Sequence, residues 1–225
     1  MRQILIAAIL GLGLMFGVSL TPANATVMTF NLTSDHCSAT CLPGGISAGA
    51  VTVTDNGTGT LHFAVTLATG FGIINTGGGQ GLGASFGFNL DMSPITLSNL
   101  VTPGGSYSLI STSAGSIHVD GFGDFSYGLN CDSCGNGATN PDFTTNAIAF
   151  DVTAGAGLTL ADVIKSSGGS PNAFFALDAF STITGATGPI DASTGTLQET
   201  IAEPQSLALL GVGLVAFGLV RRRRN

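Results

Sequence analysis

Basic residues are nearly absent from the middle of this 225-residue chain. Of its six Lys and Arg residues, Arg2 lies near the start, four form the run 221–224, and only Lys165 lies between them. From Thr26 to Ala202 this single base stands against 12 acidic residues. So acidic a segment cannot neutralise phosphates, which argues against a nucleic-acid partner. Phosphate and oxyanion chemistry usually recruits Arg or Lys, so an enzyme of that kind is also disfavoured.

Aromatic and catalytic side chains are scarce as well. The chain has no Trp and two Tyr residues, which leaves few platforms for stacking sugar rings. His36, His62 and His118 are the only histidines, and the last two lie inside strand-like patterns, as ordinary sheet residues do. We therefore predict a protein that is not an enzyme and keep a secreted hydrolase as a second alternative.

The first 25 residues have the three parts of a secretory signal peptide. Arg2 is the basic start, Ile4 to Leu20 is apolar, and Ala23 and Ala25 are the small residues that signal peptidase reads. Thr26 is thus the predicted mature N-terminus, and the protein is predicted to be exported. An uncleaved N-terminal anchor is the other interpretation.

Export makes the four cysteines interpretable. An even number of cysteines in an exported chain predicts disulfides. Two local bridges, Cys37–Cys41 and Cys131–Cys134, are the simplest pairing, and long-range bridges between the two loops would constrain the unfolded chain more. A zinc site that uses all four cysteines with His36 nearby is a third possibility. The spacing of Cys131 and Cys134 occurs in redox motifs, but without a strand-to-helix setting we expect it to be structural.

The segment 26–200 has the pattern of a β-rich domain. Its many Gly, Thr and Val residues and few Lys and Glu favour strands and turns over helices. In VTVTDNGTGTLHFAVTLAT, the alternation of Val51 and Val53 continues after the turn as Leu61 and Phe63, which predicts a hairpin.

Further strands are predicted along the same segment. They carry Val27, Thr29 and Asn31 as an edge strand, Phe86 with Phe88, Ile148 with Phe150, and Phe174 with Phe180, and a hairpin is centred on Gly121 to Gly123. Leu160 to Lys165 is the one helical candidate. This spacing predicts a mainly β fold, an antiparallel β-sandwich or jelly-roll-like ectodomain.

Calcium is the metal that the acidic loops favour. Asp120, Asp124, Asp132 and Asp142 lie among Asn and Gly residues, and oxygen ligands in flexible loops suit Ca²⁺. The spacing differs from that of an EF-hand, and solvated turn aspartates explain the same pattern. We therefore predict no obligatory cofactor, with Asp120, Asp124 and Asp132 as the calcium candidates.

The chain ends in an apolar run followed by a basic cluster. The 14 residues from Leu207 to Val220 would rise about 21 Å as a helix, against a hydrocarbon core of about 30 Å. We predict a single membrane helix over 206–220 that spans with local thinning of the bilayer. The positive-inside rule keeps the basic cluster cytoplasmic as a stop-transfer signal. That cluster consists of Arg221, Arg222, Arg223 and Arg224.

The segment 201–225 resembles the PEP-CTERM sorting signal. Ala202-Glu203-Pro204, then Ser206, the apolar run and the terminal arginines follow the order of that signal, with Ala202 in place of the family's first proline. The resemblance implies a Gram-negative host, transient anchoring in the inner membrane, and removal of the tail by exosortase, a membrane cysteine protease. It also implies a final place in the periplasm, on the cell surface or in the extracellular matrix, and an association with exopolysaccharide.

These features together predict an exported structural protein of the cell surface or biofilm matrix. The alternative is a surface module that binds glycan, calcium or ice. The ice interpretation depends on the resemblance and on the pairs Thr52/Thr54, Thr58/Thr60 and Thr182/Thr184, which lack a fixed period along the sequence.

Overall fold

The structure is a computed structural model that describes residues 25–75, 84–102, 104–111, 117–135, 137–145 and 148–199. These residues belong to one compact unit, which is mainly β and built of antiparallel sheets. The predicted sorting signal and all of the predicted signal peptide except Ala25 lie outside them. Within the described residues, no helix has the length and apolar character needed to cross a membrane.

Short strands account for most of the described residues. In chain order they are β1 Thr26–Leu32, β2 Ser34–Asp35, β3 Gly49–Asp55, β4 Thr60–Leu67, β5 Phe71–Ile73, β6 Phe86–Leu90, β7 Ile95–Val101, β8 Tyr107–Ser111, β9 Ile117–Val119, β10 Gly123–Phe125, β11 Tyr127–Cys131, β12 Ile148–Ala154, β13 Val163–Ile164, β14 Phe175–Ser181, β15 Thr187–Ala192 and β16 Gly195–Glu199. Two 3₁₀ turns occupy Pro43–Gly45 and Leu160–Asp162.

Two large sheets form a β-sandwich-like fold. Sheet A has the strand order β16-β1-β3-β4-β12-β7. Sheet B has the order β2-β15-β14-β6-β11-β8, with β5 paired to β14 and β13 paired to β6. Strands β9 and β10 form a separate two-stranded hairpin.

Alternation along the strands creates the core between the sheets. In the β3–β4 hairpin, Val51, Val53, Leu61 and Phe63 are fully buried, whereas the residues between them are only half-buried. They meet aromatic side chains of sheet B; the Phe63 ring lies 5.6 Å from that of Phe88. The predicted hairpin is therefore confirmed, including its turn, where the Gly57 amide donates to the Asp55 carboxylate at 2.7 Å.

Two local predictions need correction, and the third, a single turn or a short helix within Leu160 to Lys165, is confirmed in its shorter form. Strand β1 is an inner strand, because β16 pairs with its free side and covers the predicted edge. In FFALDAF it is Phe175 that is buried in the main core, while Phe174 precedes β14 and is half-buried. The helical candidate is one 3₁₀ turn, Leu160–Asp162, which the strand β13 follows at once.

The cysteines form the two local bridges, Cys37–Cys41 and Cys131–Cys134, with Cα–Cα distances of 5.9 and 5.3 Å. The prediction of a disulfide-stabilised domain is thus confirmed, whereas the long-range pairing and the four-cysteine zinc site do not form. Disulfides persist in oxidising compartments, which agrees with export.

Candidate functional site

A pocket of about 210 Å³ lies at one end of sheet B. It forms where the residues before β8, the loop after β11 and the end of β5 come together. Its lining consists of Gly104, Gly105, Ser133, Cys134, Asn140, Pro141, Asp142, Phe143 and Thr144. We refer to it as the Asp142 pocket.

The Cys131–Cys134 disulfide and backbone hydrogen bonds hold the pocket wall. The Asp132 amide donates to the Ser106 carbonyl at 2.7 Å, and the Ser106 amide donates to Ser133 Oγ at 2.8 Å. Asn140 donates from Nδ2 to the Ser133 carbonyl at 2.7 Å. Asn140 has a φ of 49°, in the left-handed region that Asn tolerates better than most residues. These contacts fix the loop after β11 against the start of β8.

Asp142 is the charged centre of the pocket. Its backbone pairs with Ile73 at the end of β5, and the residue as a whole is 9% exposed. The carboxylate accepts hydrogen bonds from Tyr107 Oη at 2.8 Å and from the Thr144 amide at 3.0 Å. Burial, with the hydrogen bond and charge of Asp142 as smaller causes, raises the pKa of Tyr107 far above its usual range. Tyr107 is therefore a neutral, permanent hydrogen-bond donor to Asp142.

Two glycines let the pocket close tightly around this carboxylate. A Cβ on Gly104 would collide with Thr144 Oγ1 and Asp142 Oδ1. A Cβ on Gly105 would lie 3.0 Å from Asp142 Oδ2 and 2.9 Å from the ring of Tyr107. Only a chain without side chains at these two positions can pass so close.

Phe143 supplies the apolar wall. It is 45% exposed, and within the described ranges it is the only aromatic residue among the exposed large apolar side chains. Its ring rests on Gly72 of β5, where a Cβ would lie 2.8 Å away, and meets Phe180 edge-on at 6.0 Å. These contacts hold the ring in place, and nearly half of the residue remains exposed.

The calcium candidates do not come together. Asp120 and Asp124 lie on the β9–β10 hairpin, and each contacts a histidine Nδ1, that of His36 at 3.2 Å and that of His118 at 2.7 Å. Asp132 accepts from Ser108 and Asn130, both at 2.9 Å. In the part of the chain that the structure describes, no group of three or more His, Cys, Asp or Glu side chains could hold a metal ion. Asp120, Asp124 and Asp132 instead contact three separate sets of side chains, so the described residues do not form the predicted cluster.

His62 is the third histidine paired with an aspartate. On the outer face of sheet A its Nδ1 lies 2.6 Å from Asp151 Oδ1, and Asn99 donates to Asp151 Oδ2 at 2.6 Å. These hydrogen bonds, that of Asn99 first, lower the pKa of Asp151. The left-handed φ of 51° at Asn99 lies where β7 slips in register against β12. His62 and His118 are sheet residues, as predicted.

A serine with the spacing of a hydrolase nucleophile is also present. Ser85 is the centre of Gly83-Ala84-Ser85-Phe86-Gly87, a G-x-S-x-G sequence. Ser85 is nevertheless fully buried, and its Oγ accepts from the Cys131 amide at 3.0 Å. The sequence enters β6 directly instead of a strand-to-helix turn, so it is not a nucleophile elbow.

Sequence reasoning included Asp142 among the acidic residues but missed the rest of the pocket. Phe143 stands directly after Asn140-Pro141-Asp142, and an aromatic residue in so polar a loop was a signal that could have been used. The glycine pair 104–105 could not be connected with this loop, because no local pattern pairs residues almost 40 positions apart.

Comparisons with protein-family models, with curated proteins and with solved structures found no match for this chain.

Proposed function

We propose that the chain is an exported structural protein of the cell surface or extracellular matrix. In this proposal signal peptidase cleaves before Thr26, the segment 206–220 holds the protein transiently in the inner membrane, and an exosortase removes the tail. The jelly-roll-like ectodomain is the part that remains outside the cell. The protein performs no catalysis in this role.

The observation that carries the proposal is the β-sandwich-like domain with two local disulfides. Such bridges form in an oxidising compartment, where the predicted signal peptide would deliver the domain. The domain is also acidic, with Lys165 as the only basic residue of its described part. A stable, acidic domain suits a matrix component better than a partner of nucleic acid or of anionic lipid, because both of these are negatively charged.

Localisation in the native host tests the proposal. The wild-type protein is expected in the surface or matrix fraction. A variant with Glu203→Ala and Pro204→Ala is expected to stay in the membrane fraction, because these residues form the predicted recognition motif. Gln205→Ala, just beyond that motif, is the matched control and should sort normally. Equal distributions of the wild-type and motif variants, or wild-type protein in the cytoplasm, would reject the proposal.

Ice binding is a second candidate, favoured by the outer face of sheet A. Thr196, Thr29 and Thr52 lie side by side on three neighbouring strands, and Thr54 lies two residues further along β3. Strands about 4.8 Å apart, with about 6.6 Å between alternate residues, present hydroxyl and methyl groups in a two-dimensional array. The four threonines carry no charge, although the His62–Asp151 pair lies on the same face, next to Thr54.

An ice-recrystallisation assay tests this second candidate. The wild-type domain should slow crystal growth, and Thr52→Lys should abolish the effect because it places a charge inside the array. Thr182→Lys, in an exposed turn of the other sheet, should leave the effect unchanged. A wild-type domain without any effect on ice would remove this candidate.

A further inference from the structure

The Asp142 pocket combines features that select a particular class of ligand. At about 210 Å³ it is smaller than the pockets of about 300–1,000 Å³ that hold drug-sized molecules, so it has room for one small unit. Its lining joins a carboxylate, two hydroxyls and an amide with one aromatic ring. A ligand that fits must therefore offer several hydroxyl groups and one apolar face.

Charge excludes the competing ligand classes. None of the lining residues is basic, and Asp142 would repel phosphate, sulfate or carboxylate groups. A calcium ion takes six to eight oxygen ligands, usually with several carboxylates, whereas the pocket lining contains only one. Neutral and cationic organic ligands remain, and the two hydroxyls and the amide beside the carboxylate favour a neutral polyol over an ammonium group.

Asp142 has hydrogen-bonding capacity left for such a ligand. A carboxylate offers about four lone-pair sites, and Tyr107 and the Thr144 amide use one on each oxygen. Ligand hydroxyls that donate to the remaining sites would form charge-assisted hydrogen bonds, which are about twice as strong as neutral ones. Tyr107 and Thr144 also prevent the carboxylate from rotating, so these sites are preorganised.

Phe143 provides the complementary apolar contact. Because Gly72 and Phe180 hold the ring in place, the exposed part of Phe143 needs no rearrangement to receive a flat apolar surface. The C–H face of a pyranose is such a surface, and its hydroxyl edge would point towards Asp142 and Thr144. Preorganisation of both walls lowers the entropic cost of binding.

We propose that the Asp142 pocket binds a neutral sugar unit, with Phe143 under the ring and Asp142 accepting from its hydroxyls. This inference rests on the proposed function and deepens it, since it gives the exported domain a ligand class. The unit could be a free sugar or a residue of a polysaccharide, because both present the same chemistry. Binding of a polymer but not of its monomer would identify the polymer as the source.

Titration of the folded wild-type domain tests the inference by calorimetry or NMR. The probes are glucose, galactose, N-acetylglucosamine, a neutral glucan, glucuronate and CaCl₂. At least one neutral sugar or the glucan should bind, and glucuronate should bind more weakly than glucose. No binding of any neutral probe, tighter binding of glucuronate, or saturable binding of calcium alone would overturn the proposal.

Two pocket variants and one control complete the test. Phe143→Ala should raise Kd about 10-fold, which corresponds to about 1.4 kcal/mol. Thr144→Val, which replaces a hydroxyl with a methyl group of similar size, should raise Kd about 3-fold. Leu197→Ala, a truncation of another exposed side chain on the far edge of sheet A, should leave Kd unchanged. An unchanged Kd in both pocket variants would place the sugar elsewhere.

The two proposals fail in different ways. Correct surface localisation without sugar binding would reject only the sugar site. Sugar binding by a protein that stays in the membrane or the cytoplasm would reject only the surface role.

Discussion

Alternation along the strands gives both sheet A and sheet B an inner face towards the core and an outer face. The surroundings of the two outer faces differ. On sheet A, Thr52, Ala64 and Ala149 occupy one cross-strand row and remain half-buried. On sheet B, Ala176 occupies the equivalent position, and the β9–β10 hairpin reduces its exposure to 1%. Among the described residues, the third layer therefore lies on sheet B.

Small residues on sheet B make this third layer possible. Gly87 and Gly128 share a cross-strand row with Ala176, and the hairpin places Phe125 and Ile117 over them. A Cβ on Gly87 would lie 3.1 Å from the Phe125 ring, and one on Gly128 would lie 3.1 Å from Ile117. Sheet A carries threonines where sheet B carries glycines. An outer face can therefore be covered by a further layer when its own side chains are missing, and not only when they are apolar.

Loss of the Phe125 side chain, which packs the β9–β10 hairpin on sheet B, should lower the free energy of unfolding most. Phe125 is fully buried between the hairpin and sheet B, so Phe125→Ala should destabilise the domain by about 3–5 kcal/mol through lost burial and a cavity. Thr52→Ala on the open face should change the free energy of unfolding by less than about 0.5 kcal/mol. Chemical denaturation measures both, and similar losses would contradict the asymmetry of the two faces.

Larger side chains on the two outer faces should reduce stability less than the loss of Phe125, and more on sheet B than on sheet A. Gly128→Val should cost about 1–3 kcal/mol, because its Cβ would already lie 2.7 Å from the Cβ of Ala84 under the hairpin. Ala64→Val on sheet A adds volume at a half-buried position and should be nearly neutral. If Gly128→Val were as mild in thermal melts as Ala64→Val, the hairpin would not press on this row.

The two faces should also respond to pH in opposite directions. Asp191 lies on the outer face of sheet B, in the row of Ser34 and Ala176. It is fully buried, and neither carboxylate oxygen forms a hydrogen bond of good geometry. Burial raises its pKa to about 6, against weaker opposing effects of Ser34, Ser193 and Lys165. Asp151 on sheet A has a lowered pKa.

The direction of each pH effect on stability follows from the difference in proton binding between the folded and the unfolded state. The folded state holds the Asp191 proton more tightly than the unfolded state, so stability should fall by about 1–3 kcal/mol as the pH rises from about 4 to 6. Asp191→Asn should remove this loss. For Asp151 the folded state releases the proton more easily than the unfolded state, so stability should fall as the pH drops below the ordinary pKa range of Asp. Asp151→Asn should remove this loss of stability at low pH. Unfolding curves between pH 2 and 7 test both signs, and a wild-type curve parallel to both variants would contradict them.

The sequence predicted the parts of the fold that depend on local alternation. The β3–β4 hairpin follows from period-two burial around a Gly turn, and both disulfides close between cysteines three or four residues apart. The cover of β1 by β16 was not predictable in this way, because it joins segments about 170 residues apart. The packing of the β9–β10 hairpin on Gly87 was not predictable from local alternation either.

The candidate site was even less accessible from the sequence. Its carboxylate was noticed, but as part of an acidic cluster that the structure does not form. Asp120 and Asp124 contact histidines, and one of these, His36, is 84 residues away from its partner. The pocket depends on contacts of the same kind: Asp142 is held by Tyr107, and Phe143 by Gly72. Such contacts follow from the topology of sheet B and not from any local motif.

The intact mass of the protein isolated from the surface fraction of its native host tests the central claim most directly. We expect a chain that begins at Thr26, has both disulfides formed, and lacks the residues from Leu207 onwards, which include the apolar run and the arginines. A mass that still includes residues 207–225, in a host that possesses an exosortase, would contradict it.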